Sequence, residues 1–163
     1  MPKVVADTTP LILLSKISKF DILKSVYGEI IISRGVFEEY ERGKQKKYYI
    51  DISHFDWIKI VDITNRKPLE FIVDLDKGEA ESIVLAEEIK AERLIIDEIR
   101  GRNFAKSKGL GITGTIGVLL KAKERGFLQE VLPLVFELKE KGMWIDDALI
   151  EYVREIEEQA GNT

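Results

Sequence analysis

Short runs of apolar, β-branched residues alternate along the chain with segments whose apolar positions recur about every three or four residues. The short runs are typical of strands and the longer segments of amphipathic helices. Strands are predicted at residues 4–6, 29–33, 57–63, 93–96 and 110–113. Helices are predicted at residues 10–17, 34–42, 77–89, 99–108, 115–125, 127–141 and 145–160, with one more that ends at Gly28. This alternation predicts an α/β fold.

Two of the predicted strands end at an aspartate, Asp7 after the first and Asp97 after the fourth. In open α/β sheets the carboxyl ends of the strands form the edge where ligands bind, so both carboxylates are candidates for a functional site. Asp7 and Thr9 could equally cap the helix that follows. The repetition of the pattern at residues 93–97 (RLIID) favours the functional interpretation.

Two glutamates are predicted on inward faces of helices. Glu39 lies nearer than Glu38 to the apolar face of its helix, which includes Tyr40. Glu79 shares a helix face with apolar residues, which predicts that it points into the protein. The alternative is a capping box, in which Asp76 at the N-cap and Glu79 together satisfy the start of the helix. The segment alone favours neither interpretation.

The composition restricts the metal chemistry. The 163 residues include no cysteine and one histidine, so thiolate sites are excluded and a histidine site lacks a second ligand. Four carboxylates in one cleft would repel each other and could not all stay ionised without a cation. Mg²⁺ or Mn²⁺ suits such an all-oxygen ligand set. Periodicity does not establish that the four acids meet in space.

Basic residues occur in two places that suit nucleic acid. The first is a predicted loop in which cations stand beside two tyrosines: Lys44, Lys46, Lys47, Tyr48 and Tyr49. The second is the helix after Asp97, where Arg100 and Arg102 can make bidentate contacts to phosphate. Phosphates need positive charge and bases can stack on aromatic rings, so both segments suit single-stranded nucleic acid. A solvated loop and an ordinary charged helix face explain the same residues without a ligand.

Other features exclude alternative classes of protein. Residues 109–114 (GLGITG) match the dinucleotide-binding fingerprint, but that loop must follow a strand directly, whereas a basic helix precedes it here. The net charge of −4 argues against bulk electrostatic attraction to nucleic acid, although local clusters can override this sum. The apolar runs are too short to span a bilayer and no signal peptide is recognisable, so we expect a cytoplasmic protein without membrane contact.

Four segments together resemble the successive motifs of PIN domains, in particular the branch related to the toxin ribonucleases of prokaryotic toxin–antitoxin pairs. They read VVADTTPLI, VFEEY, LDKGEAESIVLAEE and LIIDEIRGRNFAKSKGLGITGTIGVLL, starting at residues 4, 36, 75 and 94. Their order and spacing make the likeness more specific than any one motif. The resemblance implies a central, mostly parallel sheet of about five strands flanked by helices. It also implies one domain over residues 1–163, with a core at about 4–126 and a helical extension at about 127–160.

The resemblance further implies a metal-dependent endoribonuclease that cleaves single-stranded or structured RNA. The family's four acids fall on Asp7, Glu39, Glu79 and Asp97. Mg²⁺ or Mn²⁺ would be held by three of them, Asp7, Glu79 and Asp97, while Glu39 would act directly or through water. The substrate would meet hydroxyls and cations at Thr8, Thr113 or Thr115, Arg100, Arg102, Lys44, Lys46 and Lys47. Asp76, Glu38 or Glu81 could replace one of the assigned acids.

By the same resemblance, a small antitoxin protein and a second copy of the chain are expected partners. Two other functions compete with the nuclease. One is a catalytically inactive PIN-like module that binds RNA or a protein partner. The other is an aspartyl phosphotransferase with Asp7 as nucleophile, whose phosphatase form expects a second aspartate where this chain has Thr9.

Overall fold

A five-stranded parallel sheet forms the centre of the computed structural model, which describes residues 2–161. The strands are β1 (Val4–Ala6), β2 (Ile30–Ser33), β3 (Ile58–Val61), β4 (Arg93–Ile95) and β5 (Ile112–Thr113). Their order across the sheet is β3-β2-β1-β4-β5, and every neighbouring pair is parallel. The predicted α/β fold with a parallel sheet flanked by helices is therefore confirmed.

The helices lie between and after the strands. They are α1 (Thr8–Lys16), α2 (Ile22–Tyr27), α3 (Arg34–Glu41), α4 (Lys77–Glu88), α5 (Ile99–Ser107), α6 (Thr115–Glu124), α7 (Leu132–Glu140) and α8 (Asp147–Gly161). Short 3₁₀ helices occur at Ile52–His54 and Lys67–Phe71. Within residues 2–161, no helix combines the length and the apolar character that crossing a membrane requires.

Both faces of the sheet are buried, because successive side chains of a strand point to opposite faces. Val4 and Ala6 of β1 pack into the larger apolar cluster, with α1, α2, α3, α6, α7 and α8. Val5 between them packs into the second cluster, with α4 and α5. The sheet is therefore a middle layer between two helical layers, which explains the nearly continuous apolar character of its central strands.

Several predicted helix starts differ from the structure, including those of α1 and α7. α1 begins at Thr8 rather than Pro10, because proline is tolerated within the first turn, where backbone N–H groups lack intrahelical partners. α7 begins at Leu132 rather than residue 127, with Pro133 in its first turn. The Glu157 carboxylate of α8 accepts hydrogen bonds from the Leu132 N–H at 2.6 Å and the Val131 N–H at 3.0 Å. This contact between distant segments fixes the start of α7. The residues around position 132 do not reveal it, so the sequence could not predict this start.

The order of the strands places one crevice at the centre of the sheet. The chain moves outward from β1 to β2 and β3, then returns to the other side of β1 with β4 and continues to β5. The direction of winding thus changes between β1 and β4, and the connecting segments separate there above the strand ends. Ligands of open α/β sheets bind in such a crevice. Asp7 and Asp97 follow these two strands.

Candidate active site

Asp7 is almost fully buried at the carboxyl end of β1, with 2% of its surface exposed. Its N–H donates to the Ile95 carbonyl of β4 at 2.9 Å, which continues the pairing of the two strands. Its backbone is in the N-cap position of α1, but its side chain makes no capping hydrogen bond to that helix. Ser82 of α4 places its hydroxyl 3.5 Å from Asp7 Oδ1. The capping interpretation therefore does not account for the buried carboxylate.

Asp97 lies beside Asp7 at the end of the adjacent strand and is held by the start of α6. The Thr115 N–H donates to Asp97 Oδ1 at 2.8 Å, and the Thr115 hydroxyl donates to Asp97 Oδ2 at 2.7 Å. Arg102 of α5 donates from Nη1 to the Ile96 carbonyl at 2.8 Å, which places its guanidinium beside Asp97. The helix start thus fixes this carboxylate, while a cation borders it.

Glu39 of α3 reaches the same region through Thr8, whose hydroxyl donates to Glu39 Oε2 at 3.1 Å. A Cβ atom at Gly78 of α4 would overlap this Oε2 and would lie 3.6 Å from Asp7 Oδ1. Glu39 and Asp7 therefore flank one point of the α4 backbone. Glu38, the neighbouring alternative, is exposed and lies 3.8 Å from Lys77 Nζ. The helical-wheel choice of Glu39 over Glu38 agrees with this placement.

Glu79 points into the protein, and its Oε2 is buried without a hydrogen-bond partner within the described part of the chain. Asp76 Oδ1 accepts a hydrogen bond from the Glu79 N–H at 2.8 Å, so Asp76 caps α4. Both interpretations of the segment hold in part, because the cap uses the backbone of Glu79 and leaves its side chain free to turn inward. Glu81 is buried too, but it is bound to the Gly35 N–H at 3.0 Å and to Arg66 at 3.1 Å.

The acids influence one another electrostatically. The pKa of the Asp7 carboxyl is raised to about 7, first by burial and to a smaller extent by the negative charges of Asp76, Glu39 and Asp97. Burial also raises the pKa of Glu79 to about 8, with further contributions from the Asp76 hydrogen bond and from the charges of Asp76 and Asp7. Proximity of like charges and loss of water are the physical causes.

The pKa values of the two remaining acids move in the same direction. Burial raises the pKa of Asp97, and the two hydrogen bonds from Thr115 offset part of that rise. Burial and the charge of Asp76 raise the pKa of Glu39, whereas the hydrogen bond from Thr8 lowers it. The cleft therefore favours bound protons or a bound cation over four free carboxylates.

The donor set of the cleft fits a hard divalent cation. Its ligands would be carboxylate oxygens, and the unpaired Glu79 Oε2 supplies a buried acceptor for which residues 2–161 offer no donor. Within the same residues, no three Asp, Glu, His or Cys side chains already form a metal-binding group. Mg²⁺ commonly binds through one or two carboxylates and retains several waters, so the separation of these acids is compatible with it.

The predicted substrate-binding residues are only partly brought together. Thr8 and Thr115 contact acids directly, and Arg102 borders Asp97. Thr113 instead places its hydroxyl against the α6 backbone at Gly117. Arg100 is exposed on α5, one position before Gly101, where an added Cβ would lie 2.6 Å from Glu79 Oε2.

The lysine loop lies away from the acids. Lys16 Nζ is 5.5 Å from the centre of the Tyr48 ring, at the C-terminal end of α1. The nine residues of α1 rise about 12 Å from Thr8 to Lys16. Lys47 lines a surface hollow with Tyr48 there, whereas Lys44 pairs with Glu41 of α3 at 3.2 Å, and Lys46 is exposed in the turn between them. The structure therefore does not bring these lysines to the carboxylate cleft.

Two side chains at the cleft were missed from the sequence. Ser82 contacts Asp7, and its hydroxyl also donates to the Gly78 carbonyl at 2.8 Å. Ser82 lies within a mostly apolar helix and follows Glu79 by three residues, so its position on the same helix face could have indicated that it lies in the cleft. Glu98 adds negative charge that raises the pKa values of Glu79 and Asp97. Its position directly after Asp97 was the available sign.

Comparison with known proteins decides the family. Residues 3–159 match DUF3368, a family of PIN domains. The chain belongs to the PIN domain family. Among solved structures, it is similar to a PilT N-terminus domain protein from the hyperthermophilic archaeon Sulfolobus solfataricus P2. That likeness has a TM-score of 0.57 and 21% sequence identity, and it covers 73% of this chain and 92% of the other. No curated protein matches the chain significantly.

Membership defines the class of activity. PIN domains are generally nucleases, which are hydrolases, and they typically use divalent metal ions. The archaeal neighbour supports the fold of this PIN domain. The resemblance predicted from the four sequence motifs is therefore confirmed at the level of the family and of a nuclease-type function.

Proposed function

We propose that this PIN domain is a metal-dependent endoribonuclease that hydrolyses phosphodiester bonds in single-stranded or structured RNA. The observation that supports the proposal most is the convergence of Asp7, Glu39, Glu79 and Asp97 at the crevice between β1 and β4. Glu79 Oε2 has no hydrogen-bond donor in residues 2–161 and is buried, which is costly unless a ligand satisfies it.

We assign the metal to Asp7, Glu79 and Asp97, with Mg²⁺ or Mn²⁺ as the ion. When bound, the ion would polarise the phosphate and lower the pKa of a water molecule for attack on phosphorus. Thr115 orients Asp97 through two hydrogen bonds, which offset part of the rise in the pKa of Asp97. Thr8 holds Glu39 at the edge of the cleft, where Glu39 would contact the ion directly or through water.

Arg102 is the best-placed cation for the scissile phosphate. Its guanidinium borders Asp97 and is fixed by the Ile96 carbonyl, so it needs little reordering to meet an anion. Arg100 precedes Arg102 by two residues, is exposed on α5 and suits the phosphate of a neighbouring nucleotide. RNA that is single-stranded or looped fits such a site because its backbone is accessible and its bases can splay outward.

Cleavage of fluorescently labelled single-stranded RNA and of transfer RNA tests the proposal directly. We expect cleavage with Mg²⁺ or Mn²⁺, none in EDTA, and none by Asp97→Asn at any metal concentration. Asp56→Asn, an exposed aspartate in the turn before β3, is the matched control and should retain full activity. Wild-type protein that cleaves no RNA with either metal would refute the proposal.

Within residues 2–161, no three of the neighbouring acids are already arranged as a metal-binding group, which favours a second candidate, a PIN-like module that binds RNA or a protein without cleavage. The same assay decides between the two when binding is measured in parallel. We further propose a toxin role in the cytoplasm with a small antitoxin partner and a homodimeric state, which rest on the resemblance alone. A small gene adjacent to that of this protein, and the mass of the purified protein in solution, test these points.

A further inference from the structure

A hollow of about 600 Å³ lies beside the carboxylate cleft. It is bounded by residues 69–75, called here the segment before α4, and by the outer side of α5. Its walls include Phe71, Val73 and Leu75 from the segment, and Arg100, Asn103 and Phe104 from α5. Leu75 directly precedes Asp76, the cap of α4, and Arg100 directly precedes Gly101, which abuts Glu79. Each wall of the hollow is therefore one residue along the chain from a residue that contacts the acids, and the Cα atoms of such neighbours are about 3.8 Å apart.

The segment presents unusually exposed apolar side chains to this hollow. Phe71 is 82% exposed and Val73 is 81% exposed. Leu69, Ile72 and Leu75 of the same segment pack onto the apolar cluster beneath it. The backbone is thus anchored by its inward side chains, which hold the Phe71 ring outward, where it offers an aromatic face to a ligand instead of contributing to the core.

The hollow also contains polar groups that have no partner among the residues that the structure describes. Within residues 2–161, the side chains of Arg100, Asn103 and Asp74 make no hydrogen bond or ion pair. A guanidinium can bind phosphate, an amide can read the edge of a base, and a carboxylate can accept from an exocyclic amino group. Aromatic walls combined with a few unpaired polar groups are typical of a site for a small planar polar ligand.

We propose that this hollow binds an unpaired nucleobase of the RNA, next to the scissile phosphate. This inference rests on the proposed function and names the part of the substrate that the same site recognises. The base stacks on Phe71, Asn103 and Asp74 contact its polar edge, and Arg100 holds the adjoining phosphate. Stacking on an exposed ring tolerates any base, whereas the amide and the carboxylate give a preference for bases with an amino group.

The polar groups of the hollow favour this ligand over a second copy of the chain. Arg100 makes no ion pair within residues 2–161, so its guanidinium is available at this wall for the phosphate that adjoins the base. A surface that only packed against another protein copy would not need an unpaired amide, carboxylate and guanidinium around one ring, because polar groups left unpaired in an interface weaken it.

Binding of short single-stranded RNAs to the wild-type protein in EDTA tests the inference without cleavage. Fluorescence anisotropy with labelled oligonucleotides compares each sequence with the same RNA carrying one abasic position. We expect Phe71→Ala to weaken binding of intact RNA about tenfold. We also expect the variant to lose the preference for an intact base over the abasic position. The exposure of Phe71 makes a loss of folding unexpected, and circular dichroism checks this.

Phe136→Ala is the matched control, because Phe136 is an exposed phenylalanine of α7 on the opposite helical layer. It should bind RNA like the wild type. Equal affinity of Phe71→Ala and wild type would overturn the inference, even if the protein cleaves RNA. A change in oligomeric state on Phe71→Ala would also overturn it, in favour of a second copy. Binding that depends on Phe71, in a protein that cleaves nothing, would support the base site and refute the nuclease proposal alone.

Discussion

Asp7→Asn should make the metal-free protein more stable at alkaline pH while it abolishes metal-dependent cleavage. Burial raises the pKa of Asp7 from its usual 3.8 to about 7. The folded protein therefore binds a proton at Asp7 more tightly than the unfolded chain does. Stability conferred by that proton is present below about pH 4 and is lost as the pH rises towards 7, because the folded state must then bury a charge. Asparagine has no such charge to bury.

The size of the effect follows from the shift. Each pKa unit corresponds to about 1.4 kcal/mol, so the shift of Asp7 corresponds to about 4 kcal/mol between pH 4 and pH 8. This is an upper bound, since neighbouring acids can take up protons in its place. In a chain of this length 1 kcal/mol changes the melting temperature by about 2–4 °C. The melting temperature of Asp7→Asn relative to wild type should therefore rise by about 8–16 °C between these pH values.

Thermal unfolding in EDTA, followed by circular dichroism from pH 4 to pH 8, measures this difference. Any constant cost of the substitution cancels, because the prediction concerns only the change with pH. Asp56→Asn serves as the control and should follow the wild type throughout. A difference between Asp7→Asn and wild type that stays the same at all pH values would refute the reasoning that a buried, charged Asp7 destabilises the cleft.

Further predictions concern the ion, the geometry of the acids and the C-terminal helices. Mn²⁺ should raise the wild-type melting temperature more at pH 8 than at pH 5, because protons compete with the ion for the carboxylate oxygens. A ligand present at one hundred times its Kd stabilises the folded protein by about 2.7 kcal/mol, which is the size of effect that we expect for saturating Mn²⁺ at pH 8. Gly78→Ala should lower kcat at least about tenfold with the fold retained, since the new Cβ displaces Glu39, and Gly161→Ala is its control in open space. Thr115→Val should shift the acid limb of the pH–rate profile upward, because Asp97 loses a hydrogen bond that lowers its pKa. Glu157→Ala should cost about 2 kcal/mol in urea unfolding without loss of RNA cleavage, because two N–H groups at the start of α7 lose their acceptor.

Local pattern was enough to predict the sheet and to single out Asp7, Asp97 and Glu39, whereas the full set of four acids came from the resemblance to PIN domains. β-branched runs identified the strands, and the aspartates that end two of them identified the edge where Asp7 and Asp97 lie. Helical periodicity separated Glu39 from Glu38, since one face of α3 is buried and the other is exposed. These features depend only on the spacing of apolar residues within one strand or helix, which can be read from the sequence directly.

The remaining features could not be predicted because they depend on contacts between segments that are distant in sequence. The lysine loop looked suited to RNA, but the packing of Tyr48 on Lys16 fixes it at the far end of α1, about 12 Å along the helix from Thr8. The hollow around Phe71 was not predicted, because the short 3₁₀ helix that presents this ring lacks a clear period. Composition identifies residues suited to a ligand, whereas the direction in which a loop presents them depends on tertiary packing.

The glycines of the cleft explain how four acids fit into one crevice. An added Cβ at three positions would overlap a different carboxylate in each case: Gly78 with Glu39, Gly101 with Glu79, and Gly114 with Asp97. The backbones of α4, α5 and the loop before α6 therefore approach the acids more closely than any larger residue would allow. Because carboxylates repel one another, they would spread apart if these backbones receded. The close approach of these backbones therefore keeps Glu39, Glu79 and Asp97 at the walls of the crevice.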